Sequence, residues 1–322
     1  MPLTTPSRTY KPFQYPWAMA AANKHELIHW HEDELDLQGD VNQWNDGTLL
    51  PHQKNHITQI LRLFTQTDAN VASNYCDFFI PIFKNNEIRC MLLAFAAREG
   101  IHQRAYALLN DTLGLPESEF TAFLEYEQMA QKAAFMTDNS AETPRDVALA
   151  LAKSVVNEGV ALFSAFIMLL TYVRFGLMIG MTTVVEWSIR DETEHVEGMS
   201  NLFREFIKEH PEILDDQFKF EVYQMFRDAV ELEDKFIDLA FEQGDAPGLT
   251  AQETKDYVRY IANRRLLGLG FKENWDGHEE NPLPWVPEVL GDQISNFFEK
   301  RVTDYSAVAF TGDWGWEQLS PT

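Results

Sequence analysis

The sequence predicts an all-α protein built as a helical bundle, and three observations support this fold class. Apolar residues make up 45% of the 322 residues and aromatic residues 13%, enough to bury a sizeable core. Glycine and proline are sparse, and turn clusters do not recur at the spacing of about 8–12 residues that is typical of sandwiches and barrels. Apolar residues instead recur at i, i+3 and i+4, as in amphipathic helices.

The elements follow in chain order. A short helix over Pro16–Trp30 precedes an acidic loop and turn residues up to Gly47, so we expect residues 1–50 to form an N-terminal extension. The bundle is predicted over 51–301 and a flexible C-terminal tail over 302–322. Long helices are predicted over 52–83, 86–113, 117–136, 144–173, 176–208, 216–243 and 250–269, with a brief last helix ending near Arg301.

Charge and cysteine content limit the possible partners and the compartment. A net charge of −24 disfavours binding to nucleic acid or to anionic membranes. The only two cysteines, Cys76 and Cys90, form no C-x-x-C motif, which favours a reducing compartment. The N-terminal residues show no apolar segment of the signal-peptide kind. We therefore expect a cytoplasmic protein.

A membrane span is the alternative interpretation of Gly159–Val185, in which Arg174 is the only charge. The longest uncharged run in this stretch, Gly159–Val173, has 15 residues, whereas a spanning helix needs about 20. Two buried helical segments joined near Arg174 and Gly176 explain the stretch better.

Three E-x-x-H motifs are candidates for metal binding: Glu26–His29, Glu99–His102 and Glu192–His195. Residues at i and i+3 project from one face of a helix, so one carboxylate and one imidazole can reach the same ion. The second and third motifs lie deep inside long predicted helices, where an unpartnered carboxylate or imidazole would be costly to bury. These two motifs are therefore the stronger candidates.

Ferritin-like bundles hold a dinuclear metal site with two E-x-x-H motifs and one further carboxylate from each of two other helices. Asp68 and Glu158 supply these carboxylates, because each precedes one motif by about the length of a helix, a turn and half of an antiparallel neighbour. Oxygen-rich ligation with one imidazole per ion suits iron or manganese better than zinc, copper or calcium. The predicted ligands are Asp68, Glu99, His102, Glu158, Glu192 and His195.

Two further features have competing interpretations. The first motif is part of His25-Glu26-Leu27-Ile28-His29, an H-E-x-x-H of the zinc-protease kind, but no convincing third ligand follows it. We expect these histidines to be exposed on a short helix. Tyr106 follows Glu99 by two helical turns and so lies near the predicted metals. It is either a packing residue or a one-electron donor to an oxidising metal pair.

Together, these residues resemble the radical-generating small subunit of class I ribonucleotide reductase over nearly the whole chain. An aspartate as the first ligand is typical of this family. The resemblance rests on Tyr15-Pro16-Trp17, Ile28-His29-Trp30, Phe64-Thr65-Gln66-Thr67-Asp68, Arg98-Glu99-Gly100-Ile101-His102 with Tyr106, Glu158, Arg190-Asp191-Glu192-Thr193-Glu194-His195 and Asn281-Pro282-Leu283-Pro284-Trp285-Val286-Pro287.

The resemblance implies a role for each matching residue. Tyr106 matches the radical tyrosine and Trp30 an electron-transfer tryptophan, while Asp191 would connect His102 to Trp30 by hydrogen bonds. Tyr305 resembles the tail tyrosine that passes the oxidation onward.

The resemblance also implies partners and a cofactor. The protein would be a homodimer with two iron or two manganese ions per chain, and its tail would bind a catalytic large subunit. That subunit would supply the redox thiols needed to reduce ribonucleoside diphosphates or triphosphates, because two scattered cysteines cannot provide them.

One position departs from the family pattern, and two other functions compete with this one. Ser188 stands one turn before the Glu192–His195 motif. At this position the family usually has an apolar residue that shields the tyrosyl radical. The oxidising equivalent is therefore expected either on Tyr106 or on the metals. The competing functions are an autonomous di-metal oxidase or oxygenase, which needs a substrate channel, and a metal-storage protein, which should assemble into cages.

Overall fold

Helices form all the named secondary-structure elements of the described residues, with one isolated β-bridge between Ala246 and Leu249. The computed structural model describes residues 2–137 and 139–291. The chain divides into a unit over Met1–Pro282 and a second unit that begins at Leu283. The all-α fold class is confirmed, while the predicted boundaries at residues 50 and 301 stay predictions.

The first unit contains twelve α-helices within the described residues. They are α1 (Pro16–Leu27), α2 (Gln38–Asn45), α3 (Pro51–Ser73), α4 (Ile80–Ile82), α5 (Asn86–Thr112), α6 (Glu119–Ala122), α7 (Glu127–Thr137), α8 (Pro144–Gly159), α9 (Phe163–Leu170), α10 (Ile179–Glu209), α11 (Asp216–Ala240) and α12 (Ala251–Leu269). In the second unit, residues 285–291 are helical, and the predicted helix end near Arg301 lies outside the described residues.

Four long helices form the centre of the bundle. α3 packs mainly on α5 and α8 mainly on α10, while α5 also contacts α10. α1 lies against α5 and α10, and α11 and α12 pack on each other and on α8. This arrangement directs one face of α3, α5, α8 and α10 towards a shared interior.

Three predicted helices are interrupted. The predicted helix over 117–136 breaks at Tyr126, whose extended backbone separates a 3-10 turn after α6 from α7. The predicted helix over 52–83 changes to π-helix at Asn74–Phe79, directly after α3. The predicted helix over 144–173 breaks between α8 and α9, where the Arg265 guanidinium donates a 3.1 Å hydrogen bond to the Gly159 carbonyl. This bond satisfies one of the carbonyls that the end of α8 leaves without a helical partner.

The prediction of a continuous loop before Gly47 was wrong, because residues 38–45 form α2. Asp40 on this helix is buried, and its carboxylate accepts hydrogen bonds from the backbone N–H groups of Gly180 (3.0 Å) and Met181 (2.6 Å). Asp40 thus caps the first turn of α10 from a distant part of the sequence. The acidic composition of this segment therefore does not indicate a loop.

The apolar stretch Pro144–Phe175 is long and apolar enough to cross a membrane by length and composition. Its most apolar window is completely buried inside the protein. The core position of α8 and α9 therefore explains its hydropathy, as the sequence predicted.

Candidate metal centre

Four helices bring all six predicted ligands into one buried cluster. Asp68 comes from α3, Glu99 and His102 from α5, Glu158 from α8, and Glu192 and His195 from α10. Each side chain is 2% exposed or less. The ligand atoms fall into two groups, each with atoms within 4.8 Å of one another: Asp68, Glu99 and His102, and then Glu99, Glu158, Glu192 and His195.

Glu99 and Glu192 lie between the two imidazoles. Glu99 Oε2 is 3.4 Å from His102 Nδ1, and its Oε1 is 3.0 Å from His195 Nδ1. Glu192 Oε1 and Oε2 are likewise 3.2 Å and 3.3 Å from the same two nitrogens. Each carboxylate therefore presents one oxygen to each imidazole, an arrangement suited to bridging two ions.

The donor atoms fit a pair of metal cations. Both oxygens of Glu99 and Glu192, and Oδ2 of Asp68, are buried and accept no hydrogen bond among the described residues, although imidazole nitrogens lie close to the two glutamates. Burial raises the pKa of Asp68 well above its ordinary value, and the nearby Glu99 carboxylate adds to the rise against the opposing effect of His102. Buried carboxylates of this kind need compensating cations.

Glu158 is held by two hydroxyl groups. The Tyr75 phenol donates a 2.6 Å hydrogen bond to Glu158 Oε2, and the Ser154 hydroxyl donates a 2.7 Å bond to Oε1. Tyr75 lies in the π-helical segment after α3 and was not predicted as a site residue. Its spacing from Asp68, seven residues, equals that of Tyr106 from Glu99, so the same rule could have found it.

Asp191 connects one imidazole of the cluster to an indole. Its Oδ2 accepts hydrogen bonds from Trp30 Nε1 (2.7 Å) and from the Arg98 guanidinium (2.6 Å), and it lies 3.2 Å from His102 Nε2. Burial alone would raise the pKa of Asp191, but His102, Arg98 and Arg190 hold it well below its ordinary range. The carboxylate is therefore anionic and anchors both His102 and Trp30.

Arg98 and Arg190 also hold the end of α1. Arg98 donates hydrogen bonds to the carbonyls of His25 (3.1 Å) and Ile28 (3.4 Å), and Arg190 donates to the Ile28 carbonyl (2.9 Å). These bonds satisfy backbone acceptors at the end of the helix and fix the segment that carries Trp30.

Tyr106 lies beside the cluster in a closed environment. Its hydroxyl donates a 3.2 Å hydrogen bond to Ser188 Oγ, and its ring stacks on Phe64 with centroids 4.5 Å apart. Both Tyr106 and Ser188 are at most 1% exposed. Burial, reinforced by the charge of Asp68, raises the pKa of Tyr106 well above 10, so the phenol keeps its proton. Ser188 therefore contacts the tyrosine without exposing it to solvent.

The expectation that both His25 and His29 are exposed was wrong for His25. His25 is buried, with its ring centroid 4.8 Å from that of His195 and the two Nε2 atoms 3.4 Å apart. Burial lowers the pKa of His25 to about 2. Because α1 ends at Leu27, the exposed His29 lies beyond the helix. The two histidines therefore do not share the helical face that a zinc protease requires.

The family model described as ribonucleotide reductase, small chain, matches residues 7–282. The chain belongs to this family. A probable ribonucleoside-diphosphate reductase small subunit of Invertebrate iridescent virus 3 is 39% identical, over 96% of this chain and 86% of that protein.

Solved structures show the same fold. The ribonucleotide reductase R2 subunit of Clostridium botulinum has a TM-score of 0.82 at 22% identity, covering 89% of this chain and 92% of that one. The Rnr4 homodimer of Saccharomyces cerevisiae has a TM-score of 0.73 at 19% identity, covering 94% and 92%.

Membership of the ribonucleotide reductase small-chain family makes the protein part of an oxidoreductase that converts ribonucleotides to deoxyribonucleotides. Small chains of this enzyme act with a large subunit, and the buried carboxylate and histidine cluster agrees with a dinuclear metal site. The family match favours this function over an autonomous oxidase or a storage protein. Tyr305 lies outside the described residues, so its role stays a prediction.

We predict that Asp191→Asn destabilises the metal-free protein by about 3–5 kcal/mol, because it leaves the buried Arg98 without its anion. Urea unfolding followed by circular dichroism measures the loss. The matched control is Asp234→Asn, which breaks a 2.6 Å ion pair with Arg259 whose side chains are 25% and 22% exposed. The control should cost less than about 1 kcal/mol. Equal losses in the two variants would contradict the assignment of Asp191 as a buried anchor.

Proposed function

We propose that this small subunit of class I ribonucleotide reductase binds two iron or two manganese ions per chain on its six clustered residues. Asp68, Glu99 and His102 would chiefly hold one ion, and Glu158, Glu192 and His195 the other, with some of the carboxylates shared. The observation that carries the proposal is the position of Glu99 and Glu192, each of which has one oxygen within 3.4 Å of each imidazole Nδ1. Oxygen-rich ligation with one imidazole per ion supports iron or manganese.

The metal pair, once oxidised, supplies one-electron oxidising power. The protein stores and transmits that power through residues that touch the ligands. Asp191 orients the His102 ring through its Nε2 atom and accepts the indole N–H of Trp30, which gives a continuous hydrogen-bonded chain from a ligand to Trp30. Trp30 also stacks directly on His102, with ring centroids 5.9 Å apart. This contact gives the electron a shorter path between the ligand and the indole than the path through Asp191.

Tyr106 is the proposed store for the oxidising equivalent. Phe64 covers one face of its ring, and Ser188 takes its hydroxyl hydrogen bond without opening a path to solvent. A buried radical is protected because neither water nor an external reductant reaches it. This environment supports a tyrosyl radical in spite of the serine at a position that is usually apolar in the family.

The oxidising equivalent is then passed to the large subunit, which reduces the ribonucleotide. The named relatives support a ribonucleoside diphosphate as the substrate. We propose that the chain acts as a homodimer in the cytoplasm and binds the large subunit through its tail, where Tyr305 passes on the oxidation. Aromatic residues are unusually dense there for a solvated terminus, and such residues often anchor segments in partner grooves.

We predict that the purified chain takes up about two iron or manganese ions after anaerobic reconstitution, and that Glu192→Ala removes most of this binding because it deletes a carboxylate that faces both imidazoles. Elemental analysis measures the content. Glu197→Ala, at an exposed position on the same helix, is the control and should bind as the wild type does. Less than about half an ion per wild-type chain with either metal would disprove the site.

We predict that Tyr106→Phe abolishes ribonucleotide reduction with the large subunit while keeping the metal content, because the variant loses only the phenol oxygen. A coupled assay of deoxyribonucleotide formation, with metal analysis of the same sample, tests this. The matched control is Tyr172→Phe, because this buried phenol donates to the Gln53 carbonyl at 3.2 Å and not to the cluster, so its loss should leave activity unchanged. Full activity of Tyr106→Phe would show that Tyr106 does not hold the oxidising equivalent.

We predict that deletion of residues 303–322 leaves metal loading intact but abolishes binding to the large subunit, while Tyr305→Phe binds normally and is inactive. Surface plasmon resonance measures binding, and the reduction assay measures activity. If the truncated protein still supports reduction at saturating large subunit, both the docking role of the tail and the role of Tyr305 are wrong.

A further inference from the structure

Two buried tyrosines lie beside the six predicted ligands, and they donate their hydrogen bonds to different kinds of acceptor. Tyr106 donates to the neutral hydroxyl of Ser188 at 3.2 Å. Tyr75 donates to the Glu158 carboxylate at 2.6 Å, a short distance typical of a charge-assisted hydrogen bond. Its ring centroid lies 6.0 Å from that of His195. Tyr75 therefore adjoins the half of the cluster that contains Glu158 and His195.

The acceptor decides how readily a phenol loses an electron. A phenol that gives up one electron becomes a strong acid, so its proton must pass to a base within hydrogen-bond distance. A carboxylate oxygen can take that proton, whereas a neutral hydroxyl is a poor base. By this criterion Tyr75 has a better proton acceptor than Tyr106.

We propose that Tyr75 is a second redox-active tyrosine of this centre, an inference that rests on the dinuclear metal site proposed above. With an oxidised metal pair bound as the one-electron oxidant, Tyr75 would give up one electron, and its O–H bond would break as the proton passes to Glu158 Oε2. The product is a neutral tyrosyl radical. Return of the electron and the proton restores the phenol.

The surroundings of Tyr75 suit a radical. The side chain is 1% exposed, and the rings of Phe79, Phe95 and His195 lie around it with centroids 6.0–6.2 Å away. None of these three side chains carries a thiol or a hydroxyl that would readily quench the radical. Tyr75 also lies in the π-helical turn Asn74–Phe79, and such turns are often found at functional sites.

The competing explanation is that Tyr75 only positions Glu158. Ser154 provides a matched control, because its hydroxyl donates a hydrogen bond of nearly the same length, 2.7 Å, to the other oxygen of this carboxylate. Ser154→Ala removes a hydrogen bond from Glu158 without removing a phenol. A purely positional role would therefore give Tyr75→Phe and Ser154→Ala similar effects.

The test uses the full-length chain, reconstituted anaerobically with iron, mixed with dioxygen and frozen at a series of times for EPR. Four proteins are compared: wild type, Tyr106→Phe, Tyr106→Phe with Tyr75→Phe, and Tyr106→Phe with Ser154→Ala. Iron content is measured in each, and each is also produced with ring-deuterated tyrosine to identify tyrosyl signals by their narrowing.

We expect Tyr106→Phe to give a tyrosyl signal that deuteration narrows. This signal should disappear on adding Tyr75→Phe and persist on adding Ser154→Ala. The Tyr106→Phe variant keeps Tyr75, so the radical of Tyr75 should still form in it. A Tyr106→Phe protein that binds iron fully but gives no tyrosyl signal at any time would therefore overturn the proposal. A signal that survives in the double tyrosine variant, or that Ser154→Ala also removes, would overturn it too.

The test separates this inference from the function on which it rests. Wild-type protein that binds neither iron nor manganese would disprove the metal site and, with it, the role of Tyr75. Wild-type protein that binds iron and supports ribonucleotide reduction, together with a silent Tyr106→Phe variant, would disprove only the role of Tyr75.

Discussion

The structure depends on the burial of four carboxylates at the centre of a helical bundle. Asp68, Glu99, Glu158 and Glu192 are each 2% exposed or less, and their mutual repulsion and lost hydration oppose folding. Two divalent cations would balance four carboxylate charges, and the Asp191–Arg98 ion pair beside the cluster is neutral by itself. One cation would leave about half of that charge uncompensated.

Much of the cluster could be predicted from the sequence, because helical periodicity determines which residues share a face. The two E-x-x-H motifs follow from the i, i+3 rule, and Asp68 and Glu158 from the length of a helix and its turn. The contact of Asp191 with Trp30 and His102 followed from the family resemblance alone. Spacing along one helix says nothing about which residue of a distant segment will reach it.

The errors have the same origin. Asp40 caps α10 from a segment that was predicted as an acidic loop, and His25 packs against His195 although it was predicted to be exposed. At the break after Gly159, the free carbonyl is bonded by Arg265, more than a hundred residues later. In each case a tertiary contact overrode the local signal. Tyr75 is different, because it follows a ligand by seven residues, as Tyr106 does, and local spacing is enough to find it.

Arg98 binds both the end of α1 and the Asp191 carboxylate, and it therefore links the N-terminal segment to the stability of the six predicted ligands. Arg98 holds the carbonyls of His25 and Ile28 and, at the same time, neutralises the Asp191 carboxylate that orients His102. If residues 16–30 detach, Arg98 loses backbone acceptors, Trp30 leaves Asp191, and the support of His102 weakens in one event. Residues 16–30 and the helices that carry Asp191 and His102 thus form one cooperative unit. The amide hydrogens of these segments should exchange together.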